Sequence, residues 1–414
     1  MSASLYPSSE AEIADIVSEA GAKNSPLRII GGGTREGLGR PVEAEKTLSL
    51  AKHSGISLYE PGALTIVARA GTPIAEIEKI LAGENQRLAF EPMDHRPLFG
   101  SKGTPTIGGP TIGGIVGGNI SGPRRIIGGA CRDSLIGVRF INGDGAIIKN
   151  GGRVMKNVTG LDLVKLMAGS YGTLGVMSEV SFKVLPANER QATLAILGLD
   201  LETGIKVLSS ALGSPFEVTG AAFLPEGEDD MSRTLLRVEG FDTQVAYRLD
   251  RLKELCAKSI NGSKSEMQIV KGKQHNDLWR EIRDVKIFQG TDDLVLKLHI
   301  KPGDAPAISS AVSTAINEKT GVRMINKMLF DWGGGLIWTS VNAPENISVI
   351  RSIVKDFGGH VMLVRAPAKI REQISPFHPE HDRIVAISEC IRQKFDPKGI
   401  LNPYKMIAAA ERGK

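Results

Sequence analysis

Cysteine is scarce in this sequence. Cys131, Cys256 and Cys390 are the only cysteines among 414 residues, and no two of them form a Cys-x-x-Cys pair. The chain therefore has no cysteine set of its own for an iron–sulfur cluster or a cysteine-ligated zinc site. An odd number of cysteines without a secretory leader is typical of a reducing compartment, so we expect a cytoplasmic protein.

Aromatic residues, clustered charge and long apolar runs are lacking as well. Aromatic side chains make up 5% of the chain, and its lysines and arginines are dispersed although the net charge is +5. A nucleic-acid surface needs a basic stripe and usually stacking rings, so we expect no nucleic-acid partner. No apolar run is long enough to cross a bilayer, which predicts no integral membrane segment. Any membrane contact would then be peripheral, at the cytoplasmic face of the inner membrane.

Histidine is also rare, with seven residues and neither an HExxH nor an HxH motif. His378 and His381 lie three residues apart, but Pro379 between them disfavours a regular helical metal-binding face. A solvent-facing cap before the helical segment RIVAISEC at 383–390 explains the pair better. We therefore predict no metal site.

Glycine, in contrast, is abundant: 48 residues, or about 12% of the chain where ~7% is usual. The segment IIGGGTREGLGR at 29–40 places three glycines directly after a predicted strand. Successive backbone N–H groups can there face an anion, and the Thr34 hydroxyl is a further donor. A tight turn explains this loop alone equally well. A Rossmann site is disfavoured because the loop contains no GxGxxG.

Most of the glycine excess lies further along the chain, where twenty glycines fall between Gly100 and Gly175. Paired glycines recur through the segment TPTIGGPTIGGIVGGNISGPRRIIGGACRDSLIGVRFINGDG at 104–145. Backbone without side chains lets a flat, extended cofactor approach the main chain. A purely structural loop is the alternative, but so much glycine lowers stability unless a ligand offsets it. The segment AGSYGTLGVMSEVSFKVLP at 168–186 then ends the region with a glycine turn into a strand.

The alternation of helical and strand patterns predicts an α+β protein in three zones. Residues 1–187 hold the glycine loops. Residues 188–360 contain less glycine, and their mixed helices and strands predict an antiparallel sheet covered by helices. Residues 361–414 carry a helix and a turn-rich tail that returns to the first zone.

The glycine motifs, taken in order, resemble the FAD domain of the vanillyl-alcohol oxidase (PCMH-type) flavoproteins. The motifs are GGGT, TIGGIVGGNISGPRR and GSYGTLGVMSEVSFKVLP, and the tail FDPKGILNP at 395–403 is similar to that family's C-terminal return segment. Within the family, the chain resembles the FAD-binding subunit of bacterial glycolate oxidase most. The segments SGPRRIIGGACRDSLIG at 121–137, FDWGGGLIWTSV at 330–341 and GGHVMLVRAP at 358–367 carry that likeness. The resemblance implies a two-subdomain PCMH-type FAD-binding domain and an α+β cap domain with an antiparallel sheet.

The resemblance also implies where FAD is bound. Gly31–Arg35 would hold its pyrophosphate, Gly175 and Val176 would flank its adenine or ribitol end, and Asn402 would close the site. The full set of implied cofactor residues is Gly31, Gly32, Gly33, Thr34, Arg35, Thr111, Ile112, Gly113, Gly114, Gly118, Asn119, Ser121, Gly122, Gly175, Val176 and Asn402. Several family members attach flavin through a histidine in the first glycine loop. This loop reads GGGTREG, and Cys131 does not match the cysteine of bicovalent members, so we expect noncovalent FAD and a buried structural Cys131.

The function that the resemblance implies is oxidation of glycolate to glyoxylate in a complex. A homologous FAD-containing subunit and an iron–sulfur subunit would be the partners. The chain lacks the C-terminal histidine signature of the family's D-2-hydroxy-acid dehydrogenases, so the partner is expected to supply the main substrate chemistry. A free-standing oxidase of a small 2-hydroxy acid or alditol and a non-catalytic scaffold subunit remain alternatives.

Two further segments have a functional and a structural interpretation. In LWREIRDVKIF at 278–288, Arg283 is the candidate catalytic cation for a substrate carboxylate, because its guanidinium can pair bidentately. A surface arginine on an amphipathic helix is the alternative. In DWGGGLIWTSV at 331–341, we predict a core strand in which Trp332 and Trp338 are packed.

Overall fold

The structure is a computed structural model that describes residues 3–100, 108–152, 160–225, 231–260, 265–320 and 328–407, with the backbone alone at 317–320. Residues 104–107, where the long glycine-rich segment begins, lie outside the described residues. The chain forms two compact units. The first comprises Met1–Ser121, Gly129–Ala187 and Pro367–Lys414, and the second comprises Gly122–Gly128 and Asn188–Ala366.

The first unit contains a small parallel sheet, a larger antiparallel sheet and one short strand pair. The parallel sheet has the order β1 (Ala3–Leu5), β3 (Lys46–Ser49) and β2 (Leu27–Ile30). The antiparallel sheet has the order β4 (Ile56–Glu60), β5 (Thr65–Arg69), β9 (Val176–Lys183), β7 (Leu135–Ile141) and β8 (Ile147–Gly151). The short pair joins β6 (Gln86–Arg87) to β10 (Leu185–Pro186).

Eight described helices accompany these sheets. They are α1 (Glu10–Ala22), α2 (Ile74–Gly83), α3 (Arg96–Phe99), α4 (Ile112–Gly117), α6 (Cys131–Ser134), α7 (Leu163–Met167), α13 (Ala368–Gln373) and α14 (Asp382–Phe395). α1 begins where the Ser9 hydroxyl accepts a hydrogen bond from the Glu12 backbone N–H, a favourable N-cap. Its apolar residues recur at helical spacing, so Ile13 and Val17 are fully buried.

The second unit is built on one eight-stranded sheet in which every described pairing is antiparallel. Its order is β14 (Glu266–Lys271), β11 (Arg190–Leu197), β13 (Arg233–Gly240), β12 (Val218–Leu224), β16 (Met328–Asp331), β17 (Leu336–Val341), β15 (Leu294–His299) and β18 (His360–Arg365). The helices are α5 (Arg125–Gly128), α8 (Leu201–Leu212), α9 (Asp242–Ser259), α10 (Gly272–Arg283), α11 (Ala305–Thr320) and α12 (Glu345–Asp356). The predicted helix-covered antiparallel sheet is confirmed.

The two faces of this sheet differ in chemistry. On β13, Thr234 lies on the same face as the α8 helix, whose Gly204 approaches it closely. Because strand side chains alternate between faces, Arg237 and Glu239 lie on the opposite face. Both side chains are buried, so the second face of the sheet contains buried charged groups.

The sequence interpretation of 331–341 as one core strand is wrong at its start. β16 ends at Asp331, and the chain leaves the sheet in a 3-10 turn at Trp332–Gly334, within which Gly333 has a non-helical φ of 67°. Trp332 is half-buried in this turn, whereas Trp338 lies on β17 and is 6% exposed. Of these two tryptophans, only Trp338 is therefore a core residue.

Candidate functional site

A cavity of about 320 Å³ opens in the first unit where β2 ends in the first glycine loop. Its volume lies at the lower end of the ~300–1,000 Å³ range of small-molecule pockets. The loop at Gly31–Arg35 lies on one side, α4 and its N-cap Thr111 on another, and the C-terminal tail closes the third. Three distant stretches of sequence thus form one pocket.

Glycine is needed at Gly32 because two loops meet there. A Cβ added at Gly32 would lie 1.9 Å from the Gly109 carbonyl oxygen, a backbone atom that no rotamer change can move. Gly33 adopts a φ of 68°, which side-chain-bearing residues rarely take. The glycine run is therefore required by the close approach of backbone to backbone and by the turn.

The same loop offers backbone donors to a ligand. Among the residues that the structure describes, none accepts a hydrogen bond from the backbone N–H of Gly32, Gly33 or Thr34. Gly32 and Thr34 are buried, and a buried N–H that has no acceptor costs about 1–3 kcal/mol. Three adjacent donors of this kind are suited to an anion with several oxygens, such as a pyrophosphate.

Charge in the pocket favours an anion as well. Among the described residues, four cationic side chains and one carboxylate, that of Glu36, line it. The cations are Arg28, Arg35, Arg371 and Lys405. Burial lowers the pKa of Lys405 to about 8, the neighbouring Arg371 acts in the same direction, and Glu36 opposes them. An anion beside Lys405 would relieve this destabilisation of the charged ammonium.

Arg35 is held in place by contacts behind the glycine loop. Its Nη2 donates to the Met93 carbonyl at 3.0 Å, and its Nε donates to His95 Nδ1 at 3.3 Å. Burial lowers the pKa of Arg35 to about 10, with Asp94 opposing, so the guanidinium is still charged at neutral pH. Arg35 thus contributes a fixed positive charge to the pocket.

Asn402 connects the C-terminal tail to the end of β2 and to the glycine turn at 168–175. Its Oδ1 accepts a hydrogen bond from the Ile29 backbone N–H at 2.8 Å, and its Nδ2 donates to the Tyr171 carbonyl at 2.8 Å. Its backbone has a φ of 42°, a conformation that asparagine tolerates better than most residues. One amide side chain therefore fixes the end of β2 against the turn at Gly172.

Most of the sequence-predicted cofactor residues come together in this pocket. Those in its lining are Gly31, Gly32, Gly33, Thr34, Arg35, Thr111, Gly113, Gly114, Gly118, Gly175 and Asn402. They are contributed by four separate segments of the chain. Their role in holding a cofactor stays a prediction, which their grouping supports.

Five predicted cofactor residues fall outside the lining, within the described chain. Ile112 and Val176 are fully buried core side chains. The side chains of Asn119 and Ser121 accept hydrogen bonds from the backbone N–H groups of Arg132 and Cys131, respectively. The remaining residue, Gly122, belongs to the second unit, where its carbonyl accepts a hydrogen bond from Trp332 Nε1 at 3.2 Å.

Sequence reasoning missed part of the lining. The missed residues are Arg28, Ile29, Ile30, Glu36, Gly37, Leu38, Pro41, Val42, Leu50, Ala70, Gly117, Tyr171, Gly172, Met177, Arg371 and Lys405. Tyr171 and Gly172 lie inside the glycine turn at 168–175, and Lys405 lies three residues after Asn402. The position of Lys405 beside a recognised motif is a signal that could have found it. Arg371 has no such neighbour in sequence.

Three other sequence-based predictions have a clear outcome. Cys131 is a fully buried free thiol, as predicted, and burial raises its pKa. His381 is the exposed N-cap of α14 and accepts a hydrogen bond from the Arg383 backbone N–H, which confirms the predicted cap. Arg283 lies in the second unit, where its guanidinium forms a bidentate ion pair with Asp284. Its proposed substrate contact stays a prediction.

Membrane-spanning helices and metal-ligand groups are both lacking among the described residues. None of the described helices combines the length and the apolar character needed to span a membrane. In the described part of the chain, no three histidine, cysteine, aspartate or glutamate side chains are grouped closely enough to hold a metal ion.

Comparison with known proteins shows what the chain is similar to. Residues 1–151 match the model of a family described as an FAD binding domain. Over 394 residues the chain is 30% identical to the glycolate oxidase subunit GlcE of Escherichia coli K12, and the match covers 95% of each chain. It is 28% identical over 238 residues to the glycolate oxidase subunit GlcD of Bacillus subtilis 168, covering 57% of this chain and 47% of that relative.

The fold is that of the PCMH-type flavoproteins. The solved structure of p-cresol methylhydroxylase with substrate bound superposes with a TM-score of 0.70, covering 98% of this chain and 89% of that one. The two sequences are 12% identical, so this likeness concerns the fold. The predicted α+β architecture with a PCMH-type FAD domain is thereby confirmed.

Proposed function

Because this chain belongs to the family of the glycolate oxidase subunit GlcE, with FAD as its cofactor, we propose that it oxidises glycolate to glyoxylate as part of a complex. In this proposal, the FAD-binding domain is the predicted 1–187 and 361–414 and the cap is the predicted 188–360. In the structure, the second unit also includes Gly122–Gly128 and continues to Ala366, so β18 lies in it. A homologous flavin subunit and an iron–sulfur subunit accept the electrons.

One observation supports the proposal most strongly: the three adjacent backbone N–H groups without a protein acceptor at Gly32–Thr34 among the described residues, in a cationic pocket. In our assignment, these donors bind the pyrophosphate of FAD, and Arg35 and Lys405 balance its charge. Asn402 holds the loops at the spacing that this contact requires. The absence of a histidine from the loop supports noncovalent attachment.

Bound FAD supplies an acceptor for the two electrons that leave the CH–OH group of a 2-hydroxy acid as it becomes a carbonyl. The protein's part is to hold the cofactor, to bind the substrate carboxylate and to exclude water. The described residues of this chain bring together no cysteine group for an iron–sulfur cluster, since Cys131, Cys256 and Cys390 lie apart as free thiols. Onward electron transfer through such a cluster is therefore assigned to a partner.

The test is to purify the chain alone and together with the proteins that co-purify with it. Each preparation is mixed with glycolate without oxygen, and the visible absorbance of the flavin is recorded. We expect bleaching in the complex, with glyoxylate formed in proportion. A complex whose flavin is bleached by other alcohols and not by glycolate would reject the substrate assignment.

A further inference from the structure

A second group of polar side chains lies on the charged face of the sheet in the second unit. Lys297 and His299 are two apart on β15, so both point to the same face. Lys297 pairs across the strands with Trp338 of β17, and His299 pairs with His360 of β18. Trp332 and Arg125 complete the group. We call these six residues the lysine cluster.

Lys297 lies between two tryptophan rings and has no carboxylate partner among the described residues. Its Nζ is 5.2 Å from the ring centre of Trp332 and 5.3 Å from that of Trp338. Within the described part of the chain, this ammonium forms no ion pair or hydrogen bond. Indole faces attract a cation, but they do not replace the hydrogen bonds that its N–H donors lose on burial. Lys297 is therefore a half-buried cation whose N–H donors have no acceptor among the described residues.

His299 offers a complementary group beside it. Its ring stacks on that of His360, with the ring centres 4.9 Å apart, and its centre lies 5.5 Å from that of the Trp332 ring. Neither ring nitrogen of His299 forms a hydrogen bond with a described residue. Burial lowers the pKa of His299 to about 2, and Lys297, His360 and Arg125 act in the same direction. The ring is therefore neutral at physiological pH, and an unprotonated nitrogen can accept a hydrogen bond from a hydroxyl group.

The charges around the cluster favour an anion. The Arg125 guanidinium, on the first residue of α5 in the same unit, lies 4.8 Å from the Trp332 ring centre. The neighbouring carboxylate belongs to Asp331, whose Oδ1 already accepts a hydrogen bond from the Trp332 backbone N–H. Burial and Arg125 together lower the pKa of Lys297 to about 8, and Asp331 opposes them only in part. An added negative charge would stabilise the ammonium.

We propose that the lysine cluster is a binding subsite for a small 2-hydroxy carboxylate, whose carboxylate pairs with Lys297 and whose hydroxyl donates to His299. Arg125 strengthens the field at the carboxylate, and the two tryptophans form the walls. This inference rests on the proposed function, because it names the residues that would hold the substrate. It assigns the carboxylate to Lys297 in place of Arg283, whose guanidinium is paired with Asp284.

The cluster provides its own probe. The chain has three tryptophans, and two of them border Lys297. The flavin-loaded protein is titrated with glycolate and with glyoxylate, and tryptophan fluorescence and calorimetry report binding independently of turnover. Ethylene glycol, which has the hydroxyl groups without the carboxylate, is the neutral comparison ligand. We expect saturable binding of the two acids and none of the diol at the same concentrations.

The decisive variant is Lys297→Met, which keeps the length of the side chain and removes the charge. We expect a loss of affinity for glycolate of at least about tenfold, as for a lost charge-assisted hydrogen bond. Lys297→Arg should restore most of it. The matched control is Lys301→Met, an exposed lysine just after the same strand, which changes the net charge equally. The affinity of the Lys301→Met variant for glycolate should stay within about twofold of that of the parent.

Equal affinity in the parent and Lys297→Met, with unchanged circular dichroism and flavin content, would overturn the proposal, as would the absence of carboxylate binding to the parent. These outcomes differ from failure of the proposed function. If glycolate bleaches the flavin of the complex and Lys297→Met binds it normally, the subsite is wrong and the function stands. If the flavin is never bleached and Lys297 still controls carboxylate binding, the proposed function is wrong and the subsite stands.

Discussion

The cavity of the first unit and the lysine cluster of the second differ in the groups that they present to a ligand. The cavity presents backbone: glycines brought within contact distance and N–H groups without acceptors among the described residues. The cluster presents side chains that project from a strand inside a sheet. A backbone site depends on which residues lack a side chain, whereas a side-chain site depends on charge and neighbours. The two should therefore fail under different substitutions.

The largest effect is expected from Gly32→Ala. The added Cβ would lie 1.9 Å from the Gly109 carbonyl oxygen, so the two loops must separate and the adjacent donors lose their arrangement. We expect FAD affinity to fall by about 100-fold or more, measured by flavin fluorescence during titration of the deflavinated protein. Gly62→Ala is the control, because a Cβ added there would meet no atom within 4 Å. Equal loss in both variants would contradict the backbone account.

A smaller effect is expected from Asn402→Ala, which removes the two hydrogen bonds between the tail and the loops. The Ile29 N–H and the Tyr171 carbonyl would lose their partners, and alanine fits the φ of 42° poorly. We expect a loss of about 2 kcal/mol in unfolding free energy, with a lower Tm and weaker FAD binding. Asn402→Asp, which keeps the acceptor for Ile29, should lie between the parent and alanine. Unchanged melting would show that the tail is not anchored there.

The smallest effect concerns pH. Lys405 has a pKa of about 8, so it is mostly charged at pH 7 and mostly neutral at pH 9. The pyrophosphate of FAD binds the charged form better, and affinity should therefore be highest below pH 8 and fall by several-fold as pH rises to 9. In Lys405→Arg, which stays charged over this range, the fall should disappear. If the FAD affinity of the parent protein rose with pH instead of falling, this role for Lys405 would be rejected.

The contrast between the two regions also explains what the sequence reveals. Glycine loops can be recognised without coordinates because their density has few other physical explanations, and the order of GGGT, GSYGTLGV and FDPKGILNP led to the correct fold. Arg371 was missed because its contribution depends on how the tail returns across more than 300 residues, whereas Lys405 could have been found from its position three residues after Asn402. A lone cation carries no local pattern that marks it as part of a pocket.

The lysine cluster was hidden for a different reason. In LVLKLHI at 294–300, Lys297 and His299 alternate with apolar residues, which is the ordinary pattern of a strand with one face in solvent. That pattern predicts exposure, yet tryptophans from a turn and from a neighbouring strand cover Lys297. Trp332 was misplaced in the core because the 3-10 turn at Trp332–Gly334 was not recognised. The register of β15 with β17 and β18 brings Lys297, His299, Trp338 and His360 together, and the turn and α5 add Trp332 and Arg125.

The central claim is that the first unit holds one FAD noncovalently through its backbone cradle. The most direct measurement is to titrate the deflavinated chain with FAD, with ADP as a competitor, and then to precipitate the protein with acid. The account predicts saturation at one FAD per chain, competition by ADP through the shared pyrophosphate, and complete recovery of the flavin in the supernatant. A chain that takes up no FAD, or flavin that stays on the precipitated polypeptide, would contradict it.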